Sequence, residues 1–185
     1  MKILAISGSL RRASHNTQLL RAAAEAAPAG VEVELYDELA LVPPYDQDAD
    51  VEPAPAAVAR LREAIESADA LLISTPEYNG SIPGVLKNAL DWASRPVRES
   101  ALQNKLVAVL GASPGQFGAM WAQADLRKVL GIAGARVVGD ELPVAQVHEK
   151  FDADGRLTDA ELGGRLRLLL ETLRAESAPL VASAA

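Results

Sequence analysis

The sequence predicts an α/β fold in three layers, α/β/α. A doubly wound, five-stranded parallel sheet of order 2-1-3-4-5 carries helices on both faces. Three observations predict it. Short, β-rich apolar runs alternate with longer helical runs along the chain, as in strands joined by right-handed crossovers. The apolar run Ala70-Leu71-Leu72-Ile73 empties into Thr75-Pro76-Glu77-Tyr78-Asn79-Gly80-Ser81-Ile82-Pro83-Gly84, a polar loop stiffened by two prolines and two glycines. The length of 185 residues suits five strands better than a six-stranded dinucleotide fold.

Each element follows from local pattern. Residues 3–7 read as the first strand and 14–27 as the first helix. Residues 31–36 alternate apolar and acidic side chains, as a strand exposed on one side does. A long loop rich in proline and acids spans 37–55, and helix resumes over 56–67. The third strand is 70–74 and its helix 85–93; Leu90 and Trp92 fall there at helical spacing from Leu86 and read as packing. The fourth strand is 106–110, its helix 118–133, and a short fifth strand is 136–138. The last helix, 158–176, aligns Leu162, Leu166, Leu169, Leu170 and Leu173, with Thr158 and Glu161 set as a capping box. One domain, residues 1–176, accounts for all of this. The small, polar, proline-bearing tail 177–185 is expected to fray.

Composition removes several classes of function. The chain is 49% hydrophobic and 23% charged, ordinary for a globular protein. No apolar stretch approaches the roughly 20 residues of a membrane span, so no membrane insertion is expected and cytoplasmic residence is the default. With no cysteine, disulfides, thiolate metal sites and cysteine nucleophiles are excluded, and His15 and His148 lie too far apart for a local metal cluster. A net charge of −7 argues against a nucleic-acid partner, which needs a basic face. Against that acidic background, Arg11 and Arg12 stand side by side.

They sit in Ser7-Gly8-Ser9-Leu10-Arg11-Arg12-Ala13-Ser14-His15-Asn16-Thr17, where the first strand passes into a helix. Free backbone N–H groups and the positive helix end meet there, and Arg11 adds a full charge, so the loop is a ready anion site. Helix capping by Ser14 or Asn16 explains one polar residue, not Ser9, Arg11, Ser14, Asn16 and Thr17 together. Neither G-x-x-x-x-G-K-[ST] nor G-x-G-x-x-G is present, which disfavours a nucleoside triphosphate and a closely approached pyrophosphate. A terminal monophosphate suits the loop best. His15 reads as an exposed residue of the first helical turn.

The second loop has the properties of a ring platform. Pro76, Glu77, Tyr78, Asn79 and Gly80 offer a rigid backbone, a flat neighbour and polar groups, which is what the edge of a flavin requires. The plainer alternative is that Tyr78 packs into an interface and Asn79 holds a turn.

Taken together, Gly8-Ser9-Leu10-Arg11 with Ser14-x-Asn16, and residues 75–84 with Leu86-Lys87-Asn88-Ala89-Leu90-Asp91-Trp92, resemble the NADPH-dependent FMN reductase family. That family is flavodoxin-like and includes quinone, chromate and azo-dye reductases. The similarity runs in order and spacing from residue 2 to about residue 175. The resemblance implies that Ser9, Arg11, Ser14, Asn16 and Thr17 hold the FMN phosphate. It implies that Pro76, Glu77, Tyr78, Asn79 and Gly80 frame the isoalloxazine, and that Ser113, in Gly111-Ala112-Ser113-Pro114-Gly115, belongs to a third, more loosely matched flavin loop. It also implies a homodimer or homotetramer.

Two other motifs are misleading. Gly111 to Gly115 matches the G-x-S-x-G of serine hydrolases, but the residue after the serine is Pro114, which has no N–H for an oxyanion hole. Asp152-Ala153-Asp154-Gly155 resembles the start of a calcium loop but lacks the remaining ligand spacing, and reads as a turn. A receiver domain of the same size needs acids at the ends of strands 1 and 3, where Ser7 and Ser74-Thr75 stand.

The expected activity is therefore an NAD(P)H oxidoreductase that passes hydride through FMN to quinones or similar acceptors (free flavin, chromate, azo dyes) in a ping-pong cycle. No catalytic side chain is expected, because the cofactor carries the chemistry. The alternative is a flavodoxin-like electron carrier serving a protein partner, which the acidic surface suits. NADPH and NADH are not distinguished by the sequence: Arg12, Arg95, Arg98 and Lys105 are candidates for a 2′-phosphate by charge alone.

Overall fold

The computed structural model describes residues 1–177. Five strands, β1 (Lys2–Ser7), β2 (Glu32–Tyr36), β3 (Ala70–Thr75), β4 (Leu106–Ala112) and β5 (Arg136–Val144), form one sheet of order β2-β1-β3-β4-β5. All four pairings are parallel. The helices are α1 (His15–Glu25), α2 (Ala56–Glu66), α3 (Gly84–Ala93), α4 (Met120–Ile132) and α5 (Ala160–Ser177).

Alternation along the strands divides the interior between the two faces of the sheet. Leu4, Ile6, Leu71, Ile73, Val107 and Val109 pack with α2, α3 and α4. Ile3, Ala5, Leu72, Ala108 and Leu110 pack with α1 and α5, where the five expected leucines are buried. Both β3 and β4 are buried from end to end, as central strands covered on both faces must be.

Two local expectations are corrected. The fifth strand runs nine residues, because β5 bulges between its pairs with Ala108 and Leu110 and then continues through Leu142, Pro143 and Val144. Gly139, at φ +69°, lies in that bulge, so Gly139-Asp140-Glu141 is an interruption within the strand and not its end. The cap of α5 is Asp159, whose carboxylate accepts the Leu162 N–H. Thr158 is drawn away from that role by its own N–H and hydroxyl, which both donate to the Lys150 carbonyl. The long loop 37–55 contains two short 3-10 turns and is tied to α3. Trp92 Nε1 and Asn88 Nδ2 both donate to the Pro43 carbonyl, and the Tyr45 N–H donates to Asn88. Of the tail, Ser177 closes α5, and 178–185 lie outside the described residues.

Candidate functional site

The site lies at the carboxyl end of the sheet, where the order β1-β3-β4 brings three loops together. Each loop is held by specific contacts. The Gly8 N–H donates to the Ser74 carbonyl, and a Cβ at Gly8 would lie 2.9 Å from Leu86 Cδ2 and 3.3 Å from Pro76 Cδ. Only glycine lets the β1–α1 loop approach the β3–α3 loop this closely. Across the hinge of the second loop, Tyr78 and Ser81 exchange both backbone hydrogen bonds around Asn79 (φ +53°) and Gly80 (φ +76°). That is the two-residue turn Asn-Gly favours. The third loop is tied to the end of β5: the Ser113 N–H donates to Val144, and the Gln146 N–H to Gly115.

At the head of α1, Ser14 is the N-cap, and its hydroxyl accepts the Thr17 N–H. Among the described residues the N–H groups of His15 and Asn16 have no protein acceptor, so they point out of the helix end unpaired. Arg11 folds its guanidinium onto the Ala13 carbonyl (3.2 Å), leaving its other N–H groups free. His15 is half-buried and not exposed, with Nδ1 3.0 Å from Gln18 Oε1.

Asn16 is turned inward. Its Oδ1 accepts from the Ser74 hydroxyl (2.7 Å) and the Ala112 N–H (3.1 Å), and its Nδ2 donates to the Ala112 carbonyl (3.1 Å). The side chain thus fastens α1 to the ends of β3 and β4, and what Asn16 presents to the cleft is its backbone N–H. Thr17 donates to the Ser7 hydroxyl (2.9 Å). The carboxylate of Glu77 also faces protein, accepting the N–H groups of Trp121 (3.1 Å) and Ala122 (3.2 Å). It caps α4, whose own N-cap residue, Ala119, has no side chain able to do so. The next turn of the clamp is Ser81, donating to Asp125 (2.7 Å).

A cleft of about 110 Å³ joins Ser9, Arg11, Ser14 and Asn16 to Pro76, Glu77 and Tyr78 and to Ser113. Thr17 instead lines the adjoining cavity of about 560 Å³, and Asn79 and Gly80 stand clear of the cleft as the exposed turn. Beside it Tyr78, Phe117 and Trp121 are each about half exposed, with the Phe117 and Trp121 rings 4.9 Å apart.

The model of the NADPH-dependent FMN reductase family matches residues 1–149, which include all three loops. The chain belongs to that family. It is 43% identical over 175 residues to the NAD(P)H-dependent FMN reductase of Pseudomonas aeruginosa, covering 94% of each chain. It is 38% identical over 172 residues to the 2-hydroxy-1,4-benzoquinone reductase of a Burkholderia species, covering 92% of this chain and 93% of that one. Among solved structures it resembles the flavoenzyme NAD(P)H:(acceptor) oxidoreductase FerB of Paracoccus denitrificans, with a TM-score of 0.82 and 35% identity over 94% of this chain and 97% of that one. The fold is accordingly flavodoxin-like and the protein an oxidoreductase.

Within this reductase His148, the Asp152 motif, Lys105, Arg95 and Arg98 fall elsewhere. His148 lies beside Glu149 (3.7 Å) and is exposed, and Asp152 organises its own turn by accepting from Asp154 and Arg156. Lys105 is at the opposite, amino end of the sheet, in a cavity of about 790 Å³. There it donates to the Ala68 carbonyl, and burial lowers its pKa. Arg95 is held over the Tyr45 ring and donates to its hydroxyl, and Arg98 lines a groove between α3 and α4. Sequence reasoning missed the outward N–H of His15, the clamp residue Asp125 and the partners of Glu77. The only local hint was that α4 begins at Ala119–Met120 with no capping side chain.

No described helix is long and apolar enough to cross a membrane.

Proposed function

We propose that this protein is an FMN-dependent NAD(P)H oxidoreductase whose acceptors are quinones and similar flat, electron-poor molecules. The supporting observation is the single cleft that joins an anion-ready helix end to a stiff loop with an exposed aromatic ring. The residues present fit FMN. Two unpaired N–H groups, the Ser9 and Ser14 hydroxyls and the Arg11 guanidinium surround a space the size of a phosphate, at the positive end of α1. The cleft is well below the roughly 300–1,000 Å³ that encloses a whole organic ligand, so it would hold the phosphate end while the open surface beside Tyr78 would take the ring.

His15 and Asn16 would hold the phosphate through backbone N–H groups, with Ser9, Ser14 and Arg11 supplying side-chain donors. Thr17 would buttress the loop through Ser7. Pro76, Glu77, Tyr78, Asn79, Gly80 and Ser113 would frame the ring, Glu77 by locking its loop to α4. Bound there, FMN would supply the hydride-accepting and two-electron-donating chemistry. The residues beside Tyr78 form an open surface, on which donor and acceptor would use one slot in turn, giving ping-pong kinetics. A second copy of the chain, in a homodimer or homotetramer, would cover Tyr78, Phe117 and Trp121. The carrier alternative is less well supported, because the three loops fall within the match to the FMN reductase family and the similar proteins are named reductases.

Purified protein should be yellow or bind FMN on reconstitution, and should oxidise NADPH or NADH with menadione, giving parallel double-reciprocal lines. Colourless protein that neither binds FMN nor oxidises either nucleotide refutes the proposal. Initial rates with free FMN, chromate and an azo dye rank the acceptors.

A further inference from the structure

The 560 Å³ cavity next to the proposed FMN cleft has no role in the function described above. It opens at the carboxyl ends of β1 and β2, between Ser9 and Thr17 on one side and the start of the long acidic loop on the other. Ser9 lines both spaces, so the cavity continues the line that runs from the β3 and β4 loops across the phosphate cradle. Its chemistry is divided. Arg21 offers a guanidinium on the α1 side and Asp37 a carboxylate just past the end of β2, and neither forms an ion pair or a side-chain hydrogen bond among the described residues. Tyr36 also lines the cavity, and its hydroxyl is buried without a partner. Burial first, and then Glu38, push that phenol up from its ordinary pKa, so it remains a donor. The walls between these groups are apolar: Leu10, Leu35 and Leu39.

We propose that this cavity is a subsite for the adenosine end of a dinucleotide, with Arg21 on its phosphate and Asp37 on an unmodified ribose diol. The inference rests on the reading of the neighbouring cleft as the FMN site. A cation on α1 and a carboxylate just past β2, lining one largely apolar cavity without pairing, suit a ligand that is anionic at one end, hydroxylated further along and flat at its tip. A carboxylate beyond the second strand of an open α/β sheet accepts hydrogen bonds from a ribose diol and repels a 2′-phosphate. The fitting group is therefore adenosine 5′-diphosphate rather than its 2′-phosphorylated form. Two molecules carry it: FAD, whose adenylyl half would run on from the FMN phosphate, and NADH.

Three measurements on one set of proteins test this: wild type, Arg21→Gln, Asp37→Asn and Ala40→Phe, the last filling the cavity from an exposed loop position. Apoprotein is titrated with FMN and with FAD by flavin fluorescence, and FMN-loaded protein with ADP and 2′,5′-ADP by calorimetry. All variants should bind FMN as the wild type does. If FAD is the occupant, Arg21→Gln and Ala40→Phe weaken FAD about tenfold or more, the loss expected for one charged hydrogen bond. If NADH is the occupant, the same variants weaken ADP on the FMN-loaded protein by a similar factor. In either case Asp37→Asn narrows or reverses the preference for ADP over 2′,5′-ADP. The inference is overturned if wild type binds FMN but neither FAD nor ADP, or if the variants leave both affinities unchanged. It is likewise overturned if they weaken FMN equally. Failure of wild type to bind FMN instead overturns the proposed function.

Discussion

Replacing Asn16 separates a residue that grips a ligand with its side chain from one that fastens the fold. Its amide is 3% exposed and makes three hydrogen bonds, to the Ser74 hydroxyl and to both backbone groups of Ala112, at positions that are themselves 0% and 2% exposed. Asn16→Ala leaves a buried N–H, a buried C=O and a hydroxyl without partners. Each unpaired buried group costs roughly 1–3 kcal/mol, though the hydroxyl is free to turn and water can enter the vacated space. The two backbone groups therefore dominate, for a loss of about 3 kcal/mol. With a urea slope of about 2 kcal/mol per M, the midpoint falls by about 1.5 M at unchanged slope. Asn16→Asp is the sharper test. One oxygen keeps the two accepted bonds, but the other faces the Ala112 carbonyl across the 3.1 Å that an N–H now spans. Only a protonated carboxyl donates there, so the folded state raises its pKa above the unfolded value of about 3.9. Below that pH the variant approaches wild type. Above it the penalty grows by up to about 1.4 kcal/mol per pH unit, until the raised folded pKa is passed, and then levels off. Urea midpoints of wild type, Asn16→Ala and Asn16→Asp across acid and neutral pH supply the measurement. An Asn16→Ala midpoint within error of wild type, or an Asn16→Asp penalty that does not change with pH, refutes the fastening role.

Three further outcomes follow from the same structure. Glu77→Ala uncaps α4 at Trp121 and Ala122 and should lower stability by about 1 kcal/mol, while Glu77→Gln, which keeps an acceptor, loses only a few tenths to about 1 kcal/mol; equal urea midpoints for the two variants and wild type would contradict the cap. At Gly118, φ is +57° and a Cβ would lie 2.6 Å from Val144 N, so Gly118→Ala should cost about 3 kcal/mol or more in chemical denaturation. Gly84→Ala, in open space at the start of α3, is its near-neutral control. Asp159 is held below its ordinary pKa of 3.8 by the Lys150 hydrogen bond and then by the Leu162 N–H. A lowered carboxyl pKa contributes stability at pH above the unfolded value that is lost as pH falls through the folded one. Thermal melts should therefore show wild type and Asp159→Asn separated at neutral pH and converging in acid, and a gap that persists in strong acid would refute the assignment.

Asn16 and Glu77 show the same limit of local reading. Both stand in the two loops that the sequence singled out, and both were read as facing a ligand. In the structure each side chain is spent on protein, Asn16 on groups 58 and 96 positions away and Glu77 on groups 44 and 45 positions away. A polar residue at a strand-end loop carries the same local signature whether it points at a ligand or at the next loop. Only the partner distinguishes the two.

The sequence by itself determined the five strands, their alternation with helices, the sheet order, the hydroxyl-rich head of α1 and the stiff loop after β3. All but the sheet order depend on hydrophobic period, turn chemistry and capping, which act within a few residues; the order follows from the alternation, the chain length and the crossover rules. Tertiary structure alone decided which groups face the cleft, that β5 continues past its bulge, that Asp159 rather than Thr158 caps α5, and that a second cavity adjoins the first. Each depends on partners that local pattern does not name: β4 with β5 across the bulge, Thr158 with Lys150 eight positions back, and β1 with β2 around Arg21 and Asp37. The buried groups that must find partners are common to every such sequence, but their partners exist only once the sheet has assembled.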